Sequence, residues 1–286
     1  MSLTFIAGSF TPIPTLADAN SAPYKEQLKG IGKVISDQVQ QVTAELSKFE
    51  ITQIDRHFLC STMLELPFTS GDVSLDVFID TENPIPPTSF INTYECASWG
   101  YSLRHYLNQL DEKSVHNRYL IFSILDVNAL RLSFWKENEN WGDSGFGLCT
   151  VLLKVEALDT AKQAVTASCA QTWNATPEFA TIIRRSTVGR DDLTLSLPFF
   201  PETIRQIFDK LLANHNKLPD RHSMWGHVFG SDPWLNVIQE VCEKGISDKQ
   251  TLMACSIALN GYYCFTEFDI DSSARCYMNE ETRGVL

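Results

Sequence analysis

The chain has 286 residues, 44% hydrophobic and 20% charged, enough to bury a sizeable core in one large domain or two fused ones. Its 35 acidic and 23 basic residues give a formal charge of −12, which repels phosphate backbones. The densest basic spot, Arg184–Arg185 with Arg190, is neutralised by Asp191–Asp192, so nucleic acid is excluded as the main partner. Eight cysteines without a C-x2-C pair, no basic-flanked apolar leader and no run of 18 apolar residues argue against zinc ribbons, secretion and a membrane span, and imply free thiols in a reducing cytoplasm.

In chain order, Thr4–Ala7 is a short apolar run closed by Gly8-Ser9 and two prolines, a first strand and turn. From Lys25 to Phe49 apolar residues recur at helical spacing, among them Leu28, Ile31, Ile35, Val39, Val42 and Leu46. Arg56–Leu64 reads as a buried strand and Asp76–Ile79 as a short extended piece ended by prolines. Ser89–Glu95 reads as a strand that runs straight into Cys96. The helical face of Ala97–Leu110 follows, carrying Trp99, Leu103, Tyr106 and Leu107. Arg118–Leu125 is a near-continuous apolar run, the mark of a strand covered on both faces. Trp141–Gly147 is a glycine-rich turn and Leu148–Val155 another strand. In the second half, Gln163–Gln171 reads as a strand, Pro201–Asn214 and Trp234–Glu243 as amphipathic helices, and Thr251–Leu259 and Tyr262–Phe268 as strands joined at Asn260-Gly261. Ser223–Val228 reads as the end of a short strand that presents His227. The alternation implies an α/β fold with mixed sheets and a joint near 156–162, dividing the chain into 1–157 and 158–286.

Cys96 stands out because it falls between a predicted strand and a predicted helix. Orphan N–H groups and the helix dipole there favour a thiolate, and the residue's own N–H is placed to bind an oxyanion. The other seven cysteines sit mostly inside apolar runs, where cysteine packs as a small hydrophobe.

Ser89–Leu110 (SFINTYECASWGYSLRHYLNQL) resembles the nucleophile segment of thiolase-fold β-ketoacyl synthases, in particular the ketoacyl-acyl-carrier-protein synthase III branch. The order of segments agrees: a helix and strand over Val34–Leu64 precede it, and RYLIFSIL and WGDSGFGLCTVLLKV follow it. The resemblance implies a thiolase-like fold of two structurally similar halves, with mixed sheets layered between helices. It implies transfer of an acyl group from a coenzyme A or acyl-carrier-protein thioester onto Cys96 and on to a second substrate. Fatty acid, polyketide or related biosynthesis is the setting, the assembly is a homodimer or heterodimer, and no cofactor is needed beyond the acyl-CoA or acyl-phosphopantetheine substrate. The family pairs its Cys with a His and, in this branch, an Asn, each at the tip of a C-terminal-half loop. His227 is the preferred candidate, with His222, beside Asp220 and Arg221, the alternative. Gly261 is the expected second oxyanion donor, Trp99 an expected tunnel wall, and Arg104, Lys113 and Arg118 an expected docking patch. The stretch from Asn214 to Gly245 is short, holds one catalytic loop where two are expected, and shows no counterpart of the Asn. That departure supports a second reading, a catalytically degenerate partner subunit of a heterodimeric synthase.

Other motifs carry less. Gly142-Asp-Ser-Gly145 with His57 upstream matches part of a serine-protease pattern, but the chain's amphipathic helices contradict that all-β fold. His215, His222, His227 and Cys242 have spacings that fit no metal site. Asn174-Ala-Thr176 fits the glycosylation triplet and has no meaning without secretion.

Overall fold

Two kinds of apolar pattern, continuous strand runs and helical stripes, alternate along the chain. In the computed structural model they assemble into two copies of one topology. The structure describes residues 1–13, 24–71, 73–110, 117–157 and 164–281. The first copy contains β1 (Ser2–Pro12), α1 (Tyr24–Thr43), α2 (Lys48–Ile51), β2 (Ile54–Cys60), α3 (Glu65–Thr69), β3 (Ser89–Ile91), α4 (Ser98–Gln109) and β4 (Arg118–Asp126). A small ribbon of β5 (Glu137–Asn138) and β6 (Gly142–Asp143) leads into its last strand, β7 (Gly147–Glu156). The second contains β8 (Val165–Cys169), α5 (Ala175–Ser186), β9 (Leu193–Ser196), α6 (Glu202–Leu211), β10 (Asn216–Lys217), α7 (His222–Trp225), α8 (Asp232–Lys244), β11 (Gln250–Ile257) and β12 (Tyr262–Ile270). β13 (Arg275–Met278) then pairs back onto β1.

The strand orders match one for one. The first half runs β3-β2-β4-β7-β1 and the second β10-β9-β11-β12-β8, each with three parallel strands followed by two antiparallel pairings. The halves join where β1 meets β12 in parallel at Thr4 and Asp269. Crossovers between parallel strands need helices, and these cover both faces of each half-sheet. α4 contacts β2 and β3 of its own half and β8 and β12 of the other; α8 contacts β1 and β7 as well as β9 and β11. These two helices form a shared middle layer, built on Trp99, Leu103, Trp234 and Leu235. α1 covers the outer face of the first half with Leu28, Ile31, Ile35 and Val39, and α5 and α6 cover that of the second with Phe179, Ile183 and Phe208. Cys96 and His227 each follow the edge strand of the parallel set in their half, β3 or β10, and precede a middle-layer helix, so the internal symmetry brings them toward one place.

Several expectations are corrected. Leu75–Phe78 is a 3₁₀ turn rather than an extended piece. The strand before Cys96 stops at Ile91. Ser223–Val228 is no strand: α7 occupies His222–Trp225, Gly226 breaks it at φ 67°, and His227 forms an isolated bridge with Ser144. α5 and β9 have no counterpart in the sequence reading. The expected joint falls against residues 158–163, which lie outside the described residues, as does Lys113 of the expected docking patch.

Candidate active site

Cys96 lies in a 3₁₀ turn, Glu95–Ala97, immediately ahead of α4. It is buried, and Thr62 Oγ1 donates to its Sγ at 3.7 Å. The position does not yield the thiolate that an elbow at a helix start predicts. Burial raises the thiol well above the ordinary cysteine value, and the carboxylates of Asp126, Glu95 and Asp232 push the same way against the Thr62 hydroxyl. The resting sulfur is therefore a thiol, and it needs a base at the moment of attack.

A candidate base lines the same space. Cys96 and His227 wall the same cavity of about 330 Å³, with Thr62, Trp135, Trp141, Phe200 and Phe229. The loop holding His227 is fixed from both sides, its N–H donating to the Asp143 carbonyl (2.8 Å) and its carbonyl accepting from Gly145 N–H (2.9 Å). The glycine-rich turn over 142–147 thus braces the His loop, and its Ser144 Oγ accepts from Trp141 Nε1–H. On the ring, Nδ1 lies 2.6 Å from Asp232 Oδ2 and 2.9 Å from the Phe199 carbonyl. Both partners are acceptors, so Nδ1 carries the proton and Nε2 is the nitrogen left for proton transfer. Asp232 is itself held by the N–H groups of Val228 (2.6 Å) and Phe199 (2.9 Å). A second buried carboxylate, Asp126 at the end of β4, accepts from Thr62 N–H (2.6 Å) and Gly230 N–H (3.2 Å), tying the loop beside Cys96 to the loop beside His227. Burial pushes Asp126 up to about 7.

The remaining candidates fall elsewhere. His222 Nε2 lies 2.8 Å from the Trp141 carbonyl, and the residue is not among the cavity walls. Gly261 is corrected as an oxyanion donor. Its N–H closes the β11–β12 turn onto the Ala258 carbonyl (3.0 Å), and the residue lies outside the cavity wall, which Ile257, Ala258 and Leu259 supply. Trp99 is fully buried in the middle layer, where it donates to Ser256 Oγ (2.9 Å), and is no tunnel wall. Arg118 is paired with Asp55, and Arg104 donates to the Ala167 carbonyl, so both are engaged within the chain. His57 is buried on β2 between the Ile85 carbonyl and Ser123 Oγ, remote from any protease-like role with Ser144.

The expectation of a single C-terminal-half loop is also corrected. A second loop exists upstream of residues 214–245, between β9 and α6, and brings Phe200 into the cavity. Two loops of the second half thus reach the cavity, one carrying Phe200 and the other His227. Asp232 was missed because Ser231-Asp232-Pro233 reads as a helix start; its side chain turns back to the His loop instead of serving only the helix. The aromatic walls had no signal in spacing, since Trp135 ends a three-residue 3₁₀ turn and Trp141 lies in the β5–β6 connection.

No protein-family model and no curated protein sequence matches this chain. Solved structures do match over almost its whole length. ChlB3, described as an acyltransferase, aligns at 9% identity with a TM-score of 0.69, covering 96% of this chain and 99% of that one. The fold is that of the ketoacyl-synthase III type of thiolase-fold condensing enzymes. The tetronic acid condensing enzyme AbyA1 gives 14% identity and a TM-score of 0.57 over 92% and 99% of the two chains. The 3-oxoacyl-(acyl carrier protein) synthase III FabH of Pseudomonas aeruginosa gives 11% and 0.57 over 95% and 99%. At such identities the likeness establishes the thiolase fold, and this chain's chemistry has to be argued from its own residues. Among the described residues no helix is long and apolar enough to cross a membrane, and no group of three or more His, Cys, Asp or Glu is placed to hold a metal.

Proposed function

We propose that this protein is an acyltransferase that loads an acyl group from a coenzyme A or acyl-carrier-protein thioester onto Cys96 and passes it to a second substrate. The observation that carries the reading is the shared cavity of Cys96 and His227, with the imidazole oriented by Asp232. In the loading step His227 Nε2 takes the thiol proton as the sulfur bonds to the acyl carbon. The donor's C–S bond breaks, and its leaving sulfur takes the proton back from the imidazolium. In the second step the acceptor's X–H gives its proton to Nε2, X bonds to the acyl carbon, and the thiol of Cys96 is restored. The Cys96 N–H is the backbone donor assigned to hold the oxyanion.

Phe200 on the second loop supports transfer to a ready-made X–H acceptor over decarboxylative condensation. An enolate needs a second polar group to bear its charge, and this loop offers a hydrocarbon ring. Intact-mass measurement after incubation with acyl-CoA thioesters of several lengths tests the reading. An acyl adduct is expected on the wild type and absent from Cys96→Ala. A wild type that stays unmodified but forms a stable complex with a second thiolase-fold chain would instead establish the partner-subunit reading.

A further inference from the structure

Three rings approach His227: Phe229 is tilted by 59° at 4.7 Å, and the other two lie nearly parallel to the imidazole. The Phe200 centroid is 5.5 Å away with the planes 16° apart, and Trp141 is 6.1 Å away at 27°. Both rings are held independently of the imidazole. Phe200 stacks on Phe208 of α6 at 5.7 Å and 15°, while Trp141 stacks on Trp135 at 5.9 Å and 18° and donates its Nε1–H to Ser144. The arrangement is therefore in place before any substrate arrives.

Near-parallel rings restrict rotation of the imidazole plane, and their π faces carry negative potential that favours a positive ring within about 6 Å. His227 becomes such a ring each time it takes a proton from Cys96 or from the acceptor. We propose that Phe200 and Trp141 form an aromatic clamp that positions His227 and stabilises its protonated form, so that a hydrocarbon side chain on the β9–α6 loop assists proton transfer. Phe200 and Trp141 are positioning residues here, acting through the imidazole. The proposal deepens the acyl-transfer reading, which uses His227 as the base, but it can be read on the resting protein. The titratable groups facing the ring are Asp232, which holds Nδ1, and Asp126, whose charge it senses; Cys96 and Glu95 share the cavity wall. All four are unchanged in the variants below.

The test follows the ring protons of His227 by NMR against pH in the wild type, Phe200→Leu and Phe200→Tyr, and measures the pH profile of Cys96 acylation in the same proteins. Leucine keeps most of the volume and loses the π face; tyrosine keeps the π face. Phe200→Leu is expected to move the His227 midpoint and the acid limb of acylation together toward lower pH by about 0.5–1 unit, and to slow the plateau rate several-fold. Phe200→Tyr is expected to keep the wild-type His227 midpoint. A midpoint that is the same in all three proteins, or equal losses in the leucine and tyrosine variants, would overturn the clamp and leave Phe200 as packing. Should Phe200→Leu not fold, Trp141→Leu reads the same shift from the other ring. A moved midpoint in a protein that no thioester acylates would uphold the clamp and remove the acyl-transfer reading; acylation with an unmoved midpoint would do the reverse.

Discussion

Asp232 holds the imidazole by Nδ1 and, through the Val228 and Phe199 N–H groups, the two loops that flank it. Asp232→Asn would put an amide N–H against either the ring N–H or a backbone donor. The tautomer would then be lost or a buried donor left unpaired. Acylation of Cys96 is expected to slow by about 10²–10⁴-fold, the scale set by comparable changes behind a catalytic histidine. A loss of stability of about 1–3 kcal/mol should accompany it. Mass-resolved acylation rates and thermal melts check both, and an unaltered rate would remove Asp232 from the site. At this scale the sequence was partly legible. Cys96 was singled out because a strand-like run, a cysteine and a helical stripe follow one another, and His227 because it read as the end of a short strand, where the structure instead has α7 and Gly226. Asp232 was hidden, since a Ser-Asp-Pro start of a helix and a buried orienting carboxylate are spelled with the same letters.

Each element that presents a site residue ends in an irregular turn, and the turns are where local rules gave way. Gly226 sits at φ 67° and ψ −164°, a region almost confined to glycine, and an added Cβ would meet the Asp143 carbonyl oxygen at 2.7 Å. Gly226→Ala is expected to cost about 1–3 kcal/mol. It should also displace the pairing of His227 with the 142–147 turn, lowering both the melting temperature and the acylation rate. A variant with wild-type values would show that the His loop tolerates a different path. The strand read before Cys96 was too long because Thr93 and Tyr94 have strand propensity while Asn92–Tyr94 pairs with no neighbouring strand. α5 went unseen because Phe179, Ala180 and Ile183 make a narrow apolar stripe that only α6 and β12 complete.

Within β2, His57 donates Nδ1–H to the Ile85 carbonyl (2.7 Å) and accepts from Ser123 Oγ (2.8 Å), which in turn lies 2.9 Å from Thr150 Oγ1. Burial lowers it from the usual 6.5 to about 4. The unfolded chain therefore binds the proton first as pH falls. The contribution of this group to stability is complete above about pH 6.5 and is lost through pH 4, on the order of 3 kcal/mol in total. Urea unfolding at pH 7 and pH 4.5 should show that decline, and His57→Gln should flatten it. A slope that persists in the variant would assign the acid sensitivity to other groups.

Over the whole molecule, the site exists because two copies of one topology share a middle layer. Gly100 is a point of closest approach: a Cβ there would meet the Cys264 side chain at 2.3 Å, pressing α4 of the first half against β12 of the second. Gly100→Ala is expected to destabilise the protein by about 1–3 kcal/mol through overpacking. Because α4 carries Cys96 at its start, acylation should fall with it. Denaturant melts with parallel acylation assays check this, and unchanged stability would mean that the two halves can separate locally at no cost.

By itself the sequence determined the α/β class, helices α1, α4, α6 and α8, most strands, the order of segments that resembles the synthase III branch, and the identity of the nucleophile candidate. All of these are written in local periodicity and short-range order, which act over a few residues. Only the tertiary structure decided that Phe200 and His227 occupy the two loops over Cys96 and that Asp232 orients the imidazole. It also decided that Gly261 and Trp99 lie outside the cavity and that the thiol is held neutral. Those properties depend on groups more than a hundred residues apart in the chain being pressed into one desolvated space, and desolvation has no signature in a one-dimensional pattern.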